Sequence, residues 1–321
     1  MRSSLALIAA ATLQWSASAE AKDLRSADVY AADHPTVQAV AYLGERLQER
    51  TRGRQSIRTL GADNRGSELF TIASVRNGTL DMARVNLASL SNLMPEAIVP
   101  ALPALFRSTD HMQHVLDGPV GQDLLAALDR FDLVGLCFYP TGARSYYGSK
   151  PIRKASDLAG LKVRVPQAGL WVSLMKVPGM VAIPMPYEQI ALGLQTGAID
   201  LAENNWPAFV ASRHYETAKY FSLTQHTATP SVLIFSKRTW AELSDGDKAA
   251  LRATARESVG VFRRLWDEQE AQRDSIARVT GVELVSDIDR DSFVKAAVPI
   301  YDKEASTPAL QDMIRRIRMT P

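Results

Sequence analysis

The chain of 321 residues holds a single cysteine, Cys137. One thiol forms no internal disulfide, so the core must hold without covalent staples. Cys137 lies in the apolar run Leu133-Val134-Gly135-Leu136-Cys137-Phe138-Tyr139, where a lone cysteine behaves as a small hydrophobe. A strong charge of either sign is also lacking: 37 Lys and Arg stand against 35 Asp and Glu, a formal net charge of +2. No basic run is interleaved with aromatics, which excludes nucleic acid as a partner. No apolar run reaches the ~20 residues a bilayer span needs. Internal repeats, low-complexity tracts and proline-rich linkers are missing too.

Catalytic patterns are equally scarce. The sequence has no His-Glu-x-x-His, no paired cysteines, no Gly-x-Ser-x-Gly and no phosphate-cradling glycine loop. Ser173-Leu174-Met175-Lys176 matches Ser-x-x-Lys without its companion motifs, and reads as helix surface. His111 and His114 share a helix at i, i+3, but metal sites want three or four ligands. They read as a solvated helix face, and His214 and His226 stand alone. No enzyme, cofactor or metal is expected.

What the chain does have is a globular balance, 46% hydrophobic and 22% charged, at a length that suggests two domains. Arg2, the apolar stretch Leu5 to Leu13 and the small-x-small triplet Ala17-Ser18-Ala19 form the three-part pattern of a secretory signal over 1–19. Export to a bacterial periplasm follows. Beyond it, strand-like and helical segments alternate. Strands are expected at 23–30, 57–60, 81–85, 132–139, 161–166, 199–205 and 232–236. Helices are expected at 36–51, 67–77 and 187–196, with Gly53, Gly78 and Gly197 as stops. The alternation predicts an α/β fold with mostly parallel strands. From Asp245 to about Arg278 no proline intervenes, which predicts one long exposed helix behind the cap Ser244. A last helical stretch runs from Asp291 to Arg318.

Polar side chains gather at the C-terminal ends of apolar strands: Arg84 and Asn86, Arg144, Arg164, and Glu203-Asn204-Asn205. Open α/β sheets place ligand sites there. Guanidinium groups converging on such a site suit a carboxylate, which they grip through bidentate hydrogen bonds. Amides and a glutamate suit hydroxyls.

These segments resemble the solute-binding subunits of tripartite ATP-independent periplasmic (TRAP) transporters. The likeness is carried by Val99-Pro100-Ala101-Leu102-Pro103-Ala104-Leu105-Phe106-Arg107, Gly142-Ala143-Arg144-Ser145, Asp157 to Pro166, and Leu194 to Asn204. The resemblance implies a two-domain periplasmic binding protein fold with a cleft between domains and a long domain-spanning helix. Its domains are expected at 22–143 plus 230–270 and at 144–229 plus 271–321. It implies a monomer that captures a carboxylated solute by hinge closure and passes it to TRAP membrane permease subunits. Arg164 falls on the family's carboxylate-clamping arginine, Arg144 on a second ligand-contacting arginine, and Asn204 on a polar residue that closes from the other domain segment. Arg84-Val85-Asn86-Leu87, Glu203-Asn204-Asn205-Trp206-Pro207 and His226 are similar to members that bind sugar acids such as D-glucuronate or D-galacturonate. Trp206 suits stacking on a sugar face or a place in the core. Ala62-Asp63-Asn64-Arg65-Gly66-Ser67-Glu68 replaces the family's usual glycine-rich turn, leaving the role of Glu68 open, and His34 lies on the first ligand-facing loop. A C4-dicarboxylate, an aromatic acid, a sialic acid or a sensor role remain alternatives.

Overall fold

The computed structural model describes residues 22–60, 67–167, 169–176 and 179–321. The expected signal segment 1–19 and most of the altered turn, 62–66, lie outside the described residues.

In chain order the elements are β1 (Lys22–Ala27), α1 (Pro35–Arg50), β2 (Gln55–Leu60), α2 (Glu68–Arg76), β3 (Met82–Asn86), α3 (Thr109–Asp117), α4 (Pro119–Ala127), β4 (Leu133–Tyr139) and β5 (Ala143–Gly148). They continue with β6 (Lys162–Val165), α5 (Gly169–Lys176), β7 (Val181–Pro184), α6 (Ile190–Thr196), β8 (Leu201–Asn204), α7 (Trp206–Ala211), β9 (Tyr220–Ala228) and β10 (Ser231–Ser236). Last come α8 (Lys237–Glu242), α9 (Asp245–Ala271), α10 (Arg273–Thr280), β11 (Glu283–Val285), α11 (Arg290–Glu304) and α12 (Pro308–Met319).

Two sheets form. The first has the order β2-β1-β3-β10-β4, the second β11-β9-β5-β8-β6-β7. Both are mixed, a correction to the expectation of mostly parallel strands. The βα units pair in parallel, as β1 does with β2 and β3, and β6 with β7 and β8. β10 and β5 run antiparallel to their neighbours. They are the strands that enter each sheet directly from the other one, and a short crossing of that kind reverses direction without a helix.

The crossings lie side by side. β4 passes to β5 through Pro140-Thr141-Gly142, and β9 to β10 through Thr229-Pro230, with the Thr141 hydroxyl donating to the Thr229 carbonyl. A Cβ on Gly142 would lie 3.1 Å from two ring atoms of Trp266 on α9. The junction is therefore two strand links wedged against one aromatic ring.

Helix α1 illustrates the local logic. Pro35 occupies its first turn, and the His34 side chain caps it by accepting from Thr36 N. Val37, Val40, Leu43, Gly44 and Leu47 bury one stripe, and each large apolar side chain buried there is worth roughly 1.5–3 kcal/mol. Helix α9, a 27-residue rod capped by Ser244, packs along α1 and β4 and reaches α7 beside the second sheet. The expected continuation to Arg278 is broken at Gln272, and α10 restarts at Arg273. Between Trp266 and Ala277 no residue is buried, so no packing holds the helix continuous there. The final stretch likewise splits at Ser306-Thr307-Pro308, with Thr307 capping α12. Helix α12 returns to the first lobe: Ile317 O meets His111 Nε2 at 3.0 Å, and Arg316 pairs with Asp123 at 2.6 Å. The expected boundary put it with the second. His111 is accordingly buried, not solvated; its Nδ1 accepts from Arg107 N.

Candidate functional site

The two sheets point the ends of β1, β3, β6 and β8 at one another across a cleft. One wall carries Tyr30, Ser67, Glu68, Asn86 and Ser89; the other carries Arg144, Arg164, Gln167, Tyr187 and Asn204. The space they enclose is about 40 Å³, little more than one water at ~30 Å³. The lobes touch above it, where the Tyr30 ring meets Tyr187 edge-on at 5.1 Å.

Three buried arginines serve three different ends, told apart by counting their five N–H donors. Arg84, on β3, donates through Nε and Nη2 to Asp28 and through Nη1 to Glu68 (3.3 Å). It is locked into its own lobe and does not line the cleft. Burial opposes its charge, but Asp28 outweighs burial and raises its pKa; the Asp28 carboxyl is held low by Arg84 against the same burial.

Arg144 sits at the start of β5, not at a strand end. β5 runs antiparallel to β8, with Ser145 opposite Asn204, so its beginning lies beside the β8 terminus. Its Nε and Nη2 grip both Glu203 oxygens (2.5 and 2.7 Å), Nη2 also reaches Glu203 O (3.0 Å), and Nη1 reaches Asn204 Oδ1 (2.8 Å). One Nη1 hydrogen is left for the cleft. Glu203 is fully buried; burial would raise its pKa, but Arg144 and then His226 bring it below the usual carboxylate range.

Arg164, on β6, is different. Its Nε donates to Met185 O at 2.9 Å, which fixes the side chain. Its two Nη groups have no hydrogen-bond or ion-pair partner among the described residues, although only 4% of the residue is exposed. Its guanidinium lies 5.7 Å from the Tyr187 ring. Burial, only partly offset by Glu203, lowers its pKa, yet an arginine stays protonated throughout the accessible range.

The opposite wall is built on Glu68 at the first turn of α2. Its Oε1 accepts from Asn86 N (3.0 Å) and Arg84, and its Oε2 accepts from Ser89 Oγ (2.6 Å). Asn86 is spent locally on Ala88 N and Thr229 Oγ1. Asn204 uses Oδ1 for Arg144 and Asn205 N, leaving Nδ2 toward the cleft.

Arg164, Arg144, Asn204, Asn86 and Glu68 therefore share one cavity. The others do not reach it. Arg84 lies behind Glu68, and Asn205 caps α7 by accepting from Ala208 N. His34 caps α1 and stacks on Tyr30 at 3.9 Å. Trp206, 2% exposed, packs edge-on to Phe221 in the core. Arg144 and Arg164 both belong to the second lobe, as does Asn204, so the cations do not face each other across the gap; the cation pair faces Glu68. Sequence reasoning missed Tyr30, Ser89, Gln167 and Tyr187, which stand beyond strand ends without a charge to mark them. Among the described residues no group of three or more His, Cys, Asp or Glu is placed to hold a metal, and no helix is long and apolar enough to cross a membrane.

Two mixed α/β lobes joined by adjacent strand links, with cations buried at the cleft, define a solute-binding protein of the hinge-closing class. The chain belongs to the bacterial extracellular solute-binding proteins of family 7, whose model matches residues 26–307, and thus to the receptors of TRAP transporters. A TRAP periplasmic solute-binding protein of Xanthobacter autotrophicus Py2 with bound β-D-galacturonate is 44% identical; the match covers 93% of this chain and 100% of that one, with a TM-score of 0.90. One from Bradyrhizobium sp. BTAi1, in complex with α/β-D-galacturonate, is 43% identical over 92% and 99%, TM-score 0.89. One from Chromohalobacter salexigens DSM 3043 with bound D-glucuronate is 32% identical over 93% and 100%, also at 0.89. Family members bind small carboxylates and work with TRAP membrane components.

Proposed function

We propose that this protein is a periplasmic receptor for a hexuronate, D-galacturonate first and D-glucuronate second, which it hands unchanged to its membrane subunits after export behind a cleaved leader at 1–19. The observation that carries this is Arg164: a buried guanidinium, pinned through Nε, lining the interlobe cleft and with no hydrogen-bond partner for its Nη groups among the described residues. The ligand carboxylate sits on Arg164, and the one spare Nη1 hydrogen of Arg144 and Asn204 Nδ2 add to the same end. At the other end Glu68 and Ser89 meet hydroxyls. A carboxylate wall repels a second carboxylate, so a sugar acid is favoured over a C4-dicarboxylate. The 40 Å³ of enclosed space is far below the roughly 300 Å³ at which small-molecule sites begin, so the ligand enters only as the lobes part about the Thr141 and Thr229 links.

Calorimetric titration of the purified mature chain tests this. Galacturonate is expected to bind with a micromolar constant, about −8 kcal/mol, and succinate not to bind. Succinate binding as tightly as either uronate would refute the proposed ligand class, and recovery of altered sugar after incubation would refute a pure receptor role.

A further inference from the structure

The first sheet ends in a strand whose residues are buried between flanking helices but whose outer edge no further strand covers among the described residues. β4 is its outermost member and among the described residues pairs only with β10. Natural edge strands are blunted by charge, proline or a covering element, because a free row of backbone N–H and C=O groups recruits another strand. β2, at the opposite edge, carries Arg58, which pairs with Asp23 at 3.0 Å. β4 reads Leu133-Val134-Gly135-Leu136-Cys137-Phe138-Tyr139, with neither charge nor proline; its one irregularity is the register shift opposite Leu233 and Ile234.

A groove of about 820 Å³ touches all six residues from Leu133 to Phe138. Side chains alternate between faces, so a space that meets six in succession runs along the strand's edge. Helix α4 forms one bank and α9 the other. On the α9 bank, Gly260 stands in mid-helix, where glycine costs roughly 0.5–1 kcal/mol relative to alanine, and a Cβ there would meet nothing within 4 Å. The bank is cut away where a visiting backbone would lie.

The groove's charge is one-sided. It holds four cations, Lys237, Arg252, Arg256 and Arg263, against two carboxylates. Both carboxylates are taken: Asp129 by Lys237 and Asp117 by Arg263, each at 2.8 Å. Arg252 lies over the Trp240 ring at 4.7 Å. Neither it nor Arg256 has a carboxylate partner among the described residues, and both are exposed, one helical turn apart.

We propose that this groove receives an extended acidic segment of a partner protein, which adds to β4 as a sixth strand and sets its carboxylates on Arg252 and Arg256. Main-chain pairing provides the attachment and the two arginines the selectivity, the usual division in strand addition. A second copy of this chain is a poorer occupant, because its own β4 brings no carboxylate to Arg252 and Arg256.

The test uses a fluorescent, end-blocked heptapeptide alternating valine and glutamate, titrated by anisotropy against the whole mature protein. Saturable binding is expected, weakening as salt is raised. A lysine-for-glutamate peptide, and a peptide N-methylated on alternate amides so that it cannot pair, should each bind at least tenfold more weakly. R252E/R256E and Gly260→Leu should lose at least tenfold in affinity; all three positions are exposed, and circular dichroism and the melting midpoint verify the fold of each variant. No binding of the acidic peptide at millimolar concentration, or equal binding of the N-methylated or lysine peptide, would overturn the proposal. So would a self-association in sedimentation that Gly260→Leu abolishes, since that gives the groove to a second copy.

Discussion

Replacing Arg164 should separate binding from stability in a way no other cleft residue can. Its Nη groups pair with no charged group among the described residues, so Arg164→Ala removes no ion pair there. It removes a buried cation whose one hydrogen-bond partner among the described residues is Met185 O. In ligand-free protein the substitution is therefore expected to be neutral or mildly stabilising, because an unpaired buried charge carries a desolvation cost. Ligand binding should collapse. Two charge-assisted hydrogen bonds at about 1.5–3 kcal/mol each give roughly 3–6 kcal/mol, about 10²- to 10⁴-fold in Kd. Arg164→Lys should recover little, since a point ammonium cannot reproduce the two-pronged geometry. Galacturonate titration gives the affinity, and a melting scan without ligand gives the stability. Binding of Arg164→Ala within threefold of the parent would sink the clamp assignment. A ligand-free midpoint lowered by many degrees would mean that Arg164 is a structural residue.

Arg144→Met should behave in the opposite way, destabilising the free protein by about 3–5 kcal/mol, because Glu203 is left buried without its cation; pairing it with Glu203→Gln should restore much of that loss in chemical denaturation. Lowering the pH should weaken the fold through His34 and His214, whose pKa values burial depresses to about 3 from 6.5. Both are neutral when folded and protonated when unfolded below pH 6.5, so their stabilisation is complete above that value and is lost as the pH falls toward 3. From pH 7 to 5 each costs about 2 kcal/mol. His214→Gln should reduce the pH slope in urea titrations, with His34 and the buried His226 keeping the rest, and an unchanged slope would refute the assignment. Cys137, whose thiol burial pushes up to about 12, should resist thiol reagents in the native state and react on unfolding; rapid native labelling would contradict its burial.

The residues that build the lobes were legible because their signals are local. The apolar stripe of α1, the stop at Gly53 and the run of β4 depend on near neighbours, and they fall within a residue or two of expectation. β5 and β9 escaped for the opposite reason. Glycines bracket a basic and aromatic cluster at Ala143 to Gly148 without the period of a strand, and only long-range pairing with β8 and β9 makes it a central one. The site divides along the same line. Sequence marks Arg84, Arg144 and Arg164 alike, each on an apolar strand near a sheet end. What distinguishes them is the carboxylate that tertiary pairing sets opposite: Asp28 for the first, Glu203 for the second, none among the described residues for the third. Glu203 reaches Arg144 because β8 lies beside β5, a neighbour relation fixed by sheet order and invisible in a window of residues. The capacity to hold an anion thus follows less from having arginines than from which of them the topology leaves unpaired. That is why Arg164, the least partnered of the three among the described residues, is the one proposed to take the carboxylate.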